Sequence, residues 1–188
     1  MLDKSIPYAE VWMTRPREIP VDKFSMPDGF SLVFYQEGDQ QAWAEIETVV
    51  GECDVARDAL AYFKRTFAPY PEELEKRMLF ITTETGEKVG TATAWWKETE
   101  AGVRYPLIHW VAIRPEYQGK GLSKPLTTKV LQVLQNLETH DSIALHTQTW
   151  SHVAIRMYEK FGFEISDKNL DGTPNPDYEK AMEVLKQL

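Results

Sequence analysis

Cysteine is nearly absent from this chain: Cys53 is the only one among 188 residues, so no disulfide can close within it. That thiol and four dispersed histidines give none of the Cys/His spacings of a zinc centre, and no metal is expected. No apolar run is long enough to span a bilayer. The start, MLDKSIPYAEVW, has an early Asp and Lys and no apolar core of signal-peptide length. A soluble chain working in the cytoplasm, with no membrane partner, is the expectation. Net positive charge is also lacking. A formal charge of −8 speaks against a surface that coats nucleic acid, which needs clustered Lys and Arg to release counterions. It suits a cationic small molecule, though acidity also serves solubility alone. Internal repeats and low-complexity tracts are missing too.

What is present is ordinary for a globular protein: 43% hydrophobic and 27% charged residues, in a length that suits a single domain over 1–188. Residues 1–29 hold Pro7, Pro16, Pro20 and Pro27 and read as an extended arm with a short strand near Tyr8–Met13. The run FSLVFYQ (30–36) reads as a strand. Asp39 is placed to cap a helix through QQAWAEIETVV, and DVARDALAYFKRTF fits a second helix. The period then shortens. MLFITTE and VGTATAWWKE read as strands around a turn with Gly86, followed by strands at 105–113 and 142–149. Between these last two lies the clearest helix, with Leu122, Leu126, Val130, Val133, Leu134 and Leu137 on one face. Ser151 opens a further helix that Gly162 closes. GFEI continues as a strand, and the tail 166–188 reads as helical. The order implies an α/β fold: one mixed sheet, helices on its faces, and a parallel strand pair made by the crossover from 105–113 to 142–149.

The segment HWVAIRPEYQGKGLSKPL (109–126) carries the most chemistry. Pro125 belongs in the first turn of a helix, because deeper in it would clash with the carbonyl four residues back. The amides of Gly119, Lys120, Gly121, Leu122 and Ser123 therefore lie at a helix N-terminus without internal partners. Gly119 and Gly121 permit the unusual φ values that turn such amides toward one point. An anion nest aided by the helix dipole results. Arg114, Lys120, Lys124 and Lys129 face only Glu116 in this stretch, a local excess that suits a polyphosphate. A tight strand-to-helix turn with no ligand is the plainer alternative. The spacing is neither a Gly-Lys-Ser/Thr phosphate loop nor G-x-G-x-x-G.

Gln118-Gly119-Lys120-Gly121-Leu122-Ser123, after a strand that ends near Pro115, resembles the acyl-CoA-binding segment of the GNAT superfamily of N-acetyltransferases. SHVAIRMYEKFGFE is similar to that family's late helix, and together the two elements span 105–165. The sequence departs from the pattern in three places. Ser123 stands for a small Gly or Ala, Ser151 for a frequent Asn, and the tail reads as a helix where a last strand is common.

The resemblance implies a central mixed, mostly antiparallel sheet with a splayed parallel pair, and acetyl-CoA as co-substrate. It places the pantetheine arm beside Val111, Ala112 and Ile113. Gln118 and the amides of 119–123 then take the pyrophosphate. Tyr158 hydrogen-bonds the departing sulfur; otherwise it is a core tyrosine. An acceptor amine resembling lysine has a pKa of about 10.4, so it needs a base. His109 is that base or a histidine packed between sheet and helix; His146 and Glu98 are further candidates. Trp95, Trp96 and Trp110 are candidate walls of the acceptor pocket, although neighbours on a regular strand face opposite ways. The implied function is an N-acetyltransferase for a primary amine of a small molecule or a protein. The alternative is a CoA-binding module without catalysis. A homodimer stays open.

Overall fold

Every residue except Met1 and Ala101 is described by the computed structural model. The strands and helices follow in chain order: β1 (Glu10–Pro16), β2 (Phe30–Phe34), α1 (Gln40–Val49), α2 (Ala56–Thr66), α3 (Pro71–Arg77), β3 (Met78–Thr83), β4 (Lys88–Glu98), β5 (Arg104–Ile113), α4 (Ser123–Leu137), β6 (Ser142–Gln148), α5 (His152–Lys160), β7 (Glu164–Ser166) and α6 (Tyr178–Lys186). The strands form a seven-stranded sheet in the order β2-β3-β4-β5-β6-β1-β7. The β2/β3, β3/β4, β1/β6 and β1/β7 pairs are antiparallel, and β5/β6 is parallel. The mixed α/β architecture is thus the one expected, including the parallel pair joined by α4. The chain divides into two compact units.

One unit comprises Lys23–Ala94 and Trp110–Val133. Its core is aromatic. Trp43, on the buried stripe of α1, meets Phe63 at 5.4 Å, Phe67 at 5.6 Å and Trp110 at 5.4 Å, all edge to face. Tyr62 closes the group 4.9 Å from Trp110. Asp39 stands at the N-cap of α1 as expected, but its side chain does not cap the helix. It pairs with Lys88 at 2.9 Å and accepts from the Gln36 amide. The polar helix α3, PEELEKR, was not visible as an apolar period. Its signals are Pro71 at the first position, Glu72 and Glu73 in the first turn, and Lys76 and Arg77 in the last. Buried Arg77 pairs with Glu73 and donates to the Ala94 carbonyl.

The other unit comprises residues up to Asp22, Trp95–His109 and Leu134–Leu188. The proline-rich arm contributes more than a peripheral strand. β1 pairs with β6 over its full length, from Glu10↔Gln148 to Pro16↔Ser142, and β7 pairs on its other side from Trp12↔Ser166 to Thr14↔Glu164. Ala9, Val11, Trp12 and Met13 are buried, which is why an arm with so many prolines is held in the sheet. The tail expected to be helical over 166–188 is helical only from Tyr178 to Lys186, as α6, with Ala181 buried; β7 ends at Ser166 and a loop joins the two.

Trp43→Ala removes the centre of the aromatic group. We expect a loss of about 3–5 kcal/mol in equilibrium urea unfolding; a loss under about 1 kcal/mol would contradict a core organised around this ring.

Candidate active site

The loop after β5 is built by backbone chemistry. The Arg114 amide donates to the Val89 carbonyl at 2.9 Å, and Pro115–Tyr117 form one 3-10 turn. The Gln118 side chain donates back to the Ile113 carbonyl at 2.8 Å. Gly119 (φ +74°) and Gly121 (φ +80°) then take left-handed values that lead into α4. A Cβ at Gly119 would meet nothing within 4 Å, so the requirement there is the backbone angle and not space. Leu122 and Leu126, both buried, pin the start of α4 to the core. Among the described residues, the amides of Gly119, Lys120, Gly121, Leu122 and Ser123 donate to no protein acceptor. Unpaired donors ahead of a helix N-terminus are the kind of chemistry that suits an anion.

The charge around the loop is more selective than the sequence suggests. Arg114 is committed to Glu87 at 2.6 Å, with Glu116 at 3.7 Å. The Tyr117 hydroxyl also donates to Glu87, which pushes its phenol pKa up. Lys120, Lys124 and Lys129 rest over the rings of Tyr117, Phe24 and Phe34 at 5.0, 5.0 and 5.7 Å. Among the described residues these three lysines have no carboxylate partner, so their charge in this segment is not neutralised by an ion pair.

A fork lies in the other unit. Among the described residues, β5 and β6 pair at Leu107↔Ala144 and Ile108↔Leu145. His109 and His146 are the next residue on each strand, so both stand where the pairing ends. The following residue, Trp110, has φ +52°, a left-handed value that a bulky side chain rarely adopts. Burial first, then the charges of His146 and Lys97, hold the His109 pKa down to about 3.

His146 differs from its neighbour. It is 40% exposed, and its Nε2 lies 3.5 Å from Glu10 Oε2. Its ring stacks on Trp12 with centroids 4.3 Å apart and planes 23° apart. Burial lowers its pKa, Glu10 opposes that shift, and Lys97 adds to it. Lys97 Nζ sits over the same Trp12 ring at 5.3 Å. Trp12 also lines a cavity of about 220 Å³ with Thr14, Tyr105, Ser142 and the loop Lys168–Gly172.

Tyr158 lies on α5 of the same unit and is buried. Its carbonyl accepts from the amides of Phe161 and Phe163, which fixes the end of the helix before Gly162. The hydroxyl donates to no acceptor among the described residues, and burial pushes the phenol pKa well up. It is a proton-bearing donor at neutral pH.

Val111–Ile113 and Gln118–Ser123 are thus contiguous in one unit, while His109 and Tyr158 belong to the other. Glu98 is exposed at the end of β4. Of the candidate tryptophans, Trp95 is buried, Trp96 lies under the Arg104 guanidinium at 3.6 Å, and Trp110 belongs to the aromatic core. None of the three lines the cavity. The Trp95 and Trp96 rings stack 4.1 Å apart, so this stretch of β4 is not a regular strand. Trp12 and Glu10 carried no motif. The β1/β6 register, unreadable from one sequence, puts them beside His146.

Residues 5–163 match the Acetyltransferase (GNAT) family. A mycothiol acetyltransferase of Pseudarthrobacter chlorophenolicus is 25% identical over 178 residues, covering 84% of this chain and 50% of that protein. An S-alkylcysteine N-acetyltransferase of Bacillus subtilis is 29% identical over 99 residues, covering 50% of this chain and 55% of that protein. The chain spans about half the length of the curated relatives it matches. A crystal structure of a GCN5-related N-acetyltransferase from Sphaerobacter thermophilus superimposes with a TM-score of 0.67 at 20% identity, over 86% of this chain and 49% of that one. It shares the fold.

Gly121→Glu puts a Cβ on a left-handed residue and a negative charge in the nest. We expect pyrophosphate affinity, read by calorimetry, to fall by at least roughly tenfold with cooperative unfolding retained. Unchanged affinity would refute the nest.

Proposed function

Because the chain belongs to the GNAT acetyltransferase family, we propose that it is an N-acetyltransferase that moves the acetyl group of acetyl-CoA directly to a primary amine of a small molecule. The observation that carries this reading is the set of unpaired amides at 119–123. They match the diphosphate of CoA in charge and in donor count. Lys120, Lys124 and Lys129 add long-range attraction, and the β5 backbone from Val111 to Ile113 holds the pantetheine arm. A small acceptor is favoured by the S-alkylcysteine substrate in the name of one relative and the amino acid in the name of another.

In this reading the amine attacks the thioester carbonyl, and the tetrahedral intermediate collapses by loss of the thiolate. Tyr158 hydrogen-bonds that sulfur. A phenol near pKa 10 is a weaker acid than a thiol near 8.5, so full transfer costs about 2 kcal/mol in water. Burial raises the phenol further. Its contribution is therefore a fixed hydrogen bond to charge developing on sulfur. His109, the base suggested by the sequence, is held uncharged and is a weak proton acceptor with its pKa near 3. It accepts a hydrogen bond from the acceptor amine and adds no positive charge to repel it.

CoA release, followed with a thiol reagent over amino acids, polyamines, aminoglycosides and peptides, tests the reading. Thiol release that depends on an added amine is expected. CoA binding with no release across the panel would make the protein a binding module. Tyr158→Phe should lower kcat by roughly 10- to 1,000-fold with CoA affinity retained; equal turnover would remove Tyr158 from the mechanism.

A further inference from the structure

We propose that His146, oriented by Glu10, is the group that takes the proton from the acceptor's ammonium. The assignment rests on the acetyltransferase reading and names the base that reading leaves open. Three observations carry it. The first is position: His146 is the first residue of β6 beyond the last β5 partner, at the point where the two strands part. The second is orientation. Glu10 Oε2 lies 3.5 Å from Nε2, so Nε2 carries the proton and Nδ1 keeps the lone pair. Nδ1 has no partner among the described residues. The ring is further fixed by its stack on Trp12, and Glu10 is itself held in β1, its amide donating to Asp177 at 2.8 Å. The third is access. The imidazole is 40% exposed, so an amine from solvent can reach the ring, and the Trp12 beneath it also lines a cavity of about 220 Å³.

His109 occupies the equivalent step on β5 but is less suited. It has no carboxylate among the groups that shift it, and its surroundings keep it uncharged down to very low pH. The charged and titratable groups around His146 are Glu10 on β1, Lys97 on β4 and His109 on β5. Asp171 and Lys168 stand in the loop beyond, with Asp171 within the field of Lys97. Lys97 opposes the imidazolium and Glu10 favours it. The charge balance leaves His146 neutral at pH 7 yet able to accept a proton briefly, as a general base must.

The proton count closes. R–NH3+ gives one proton to His146 Nδ1, which passes it to solvent. The freed nitrogen lone pair forms the C–N bond. As the C–S bond breaks, the sulfur leaves as the thiolate, hydrogen-bonded by Tyr158, and takes up the second proton that the nitrogen loses. The products are the amide, CoA thiol and one solvated proton.

The test is the pH profile of kcat/KM for the best amine of the panel, in the wild type, His146→Gln, Glu10→Gln and His109→Asn. The wild-type rate should rise with pH through an acid limb below the ordinary imidazole range. His146→Gln should lose roughly 100-fold at pH 7. It should recover to within roughly tenfold near pH 10, where an amine of pKa about 10.4 deprotonates unaided. KM for acetyl-CoA should not move. Glu10 acts only through His146: Glu10→Gln should cost roughly tenfold and shift the acid limb to lower pH, because the carboxylate that supports the imidazolium is gone. Added imidazole should restore activity to His146→Ala. An active wild type whose His146→Gln variant is unimpaired, or impaired equally at every pH, overturns the assignment alone. So does loss of the limb in His109→Asn with its retention in His146→Gln. A wild type that binds CoA but releases no thiol overturns the transferase reading, and this assignment with it.

Discussion

Five amides without acceptors, ahead of a helix that cannot be pulled back, set the terms for the rest of this protein. The first turn of any α-helix leaves such donors. Here the preceding residues cannot supply a cap. Gly119 and Gly121 hold left-handed angles, and Gln118 spends its side chain on the Ile113 carbonyl. Leu122, Leu126, Val130, Leu131 and Leu134 are all buried, so α4 cannot shift to find partners. In the proposed acetyltransferase reading, a diphosphate satisfies these donors with charge, and Lys120, Lys124 and Lys129 have no carboxylate partner among the described residues.

The second constraint is a backbone angle. Trp110 at φ +52° is costly for a bulky residue, of order 1–3 kcal/mol. Its ring is locked in the aromatic group of Trp43 and Tyr62, which offsets that cost. The kink comes two residues after β5 last pairs with β6. Beyond the last β5 partner, His146, Thr147 and Gln148 pair with β1.

Much of this was legible in the sequence because it is local. The nest follows from two glycines and Pro125 within seven residues, and α4 from an apolar period that survives folding intact. The tail helix and the Ser151/Gly162 boundaries of α5 were read from the same kind of signal. What stayed hidden depends on long-range register or on an irregular backbone. Trp12 meets His146 across a β1/β6 pairing separated by more than a hundred positions. The contrast between the two histidines comes from burial and from Glu10, neither of which a sequence pattern reports. Helix α3 was hidden because its signals are charges and a proline, with Leu74 its one buried apolar side chain.

The most direct measurement is an NMR titration of the isotopically labelled protein with CoA, following the backbone amides of Gly119 to Ser123. Hydrogen bonding to a diphosphate predicts large downfield shifts of these five signals, saturating together with the calorimetric binding curve. CoA that binds while these amides stay unmoved would contradict the account at its base.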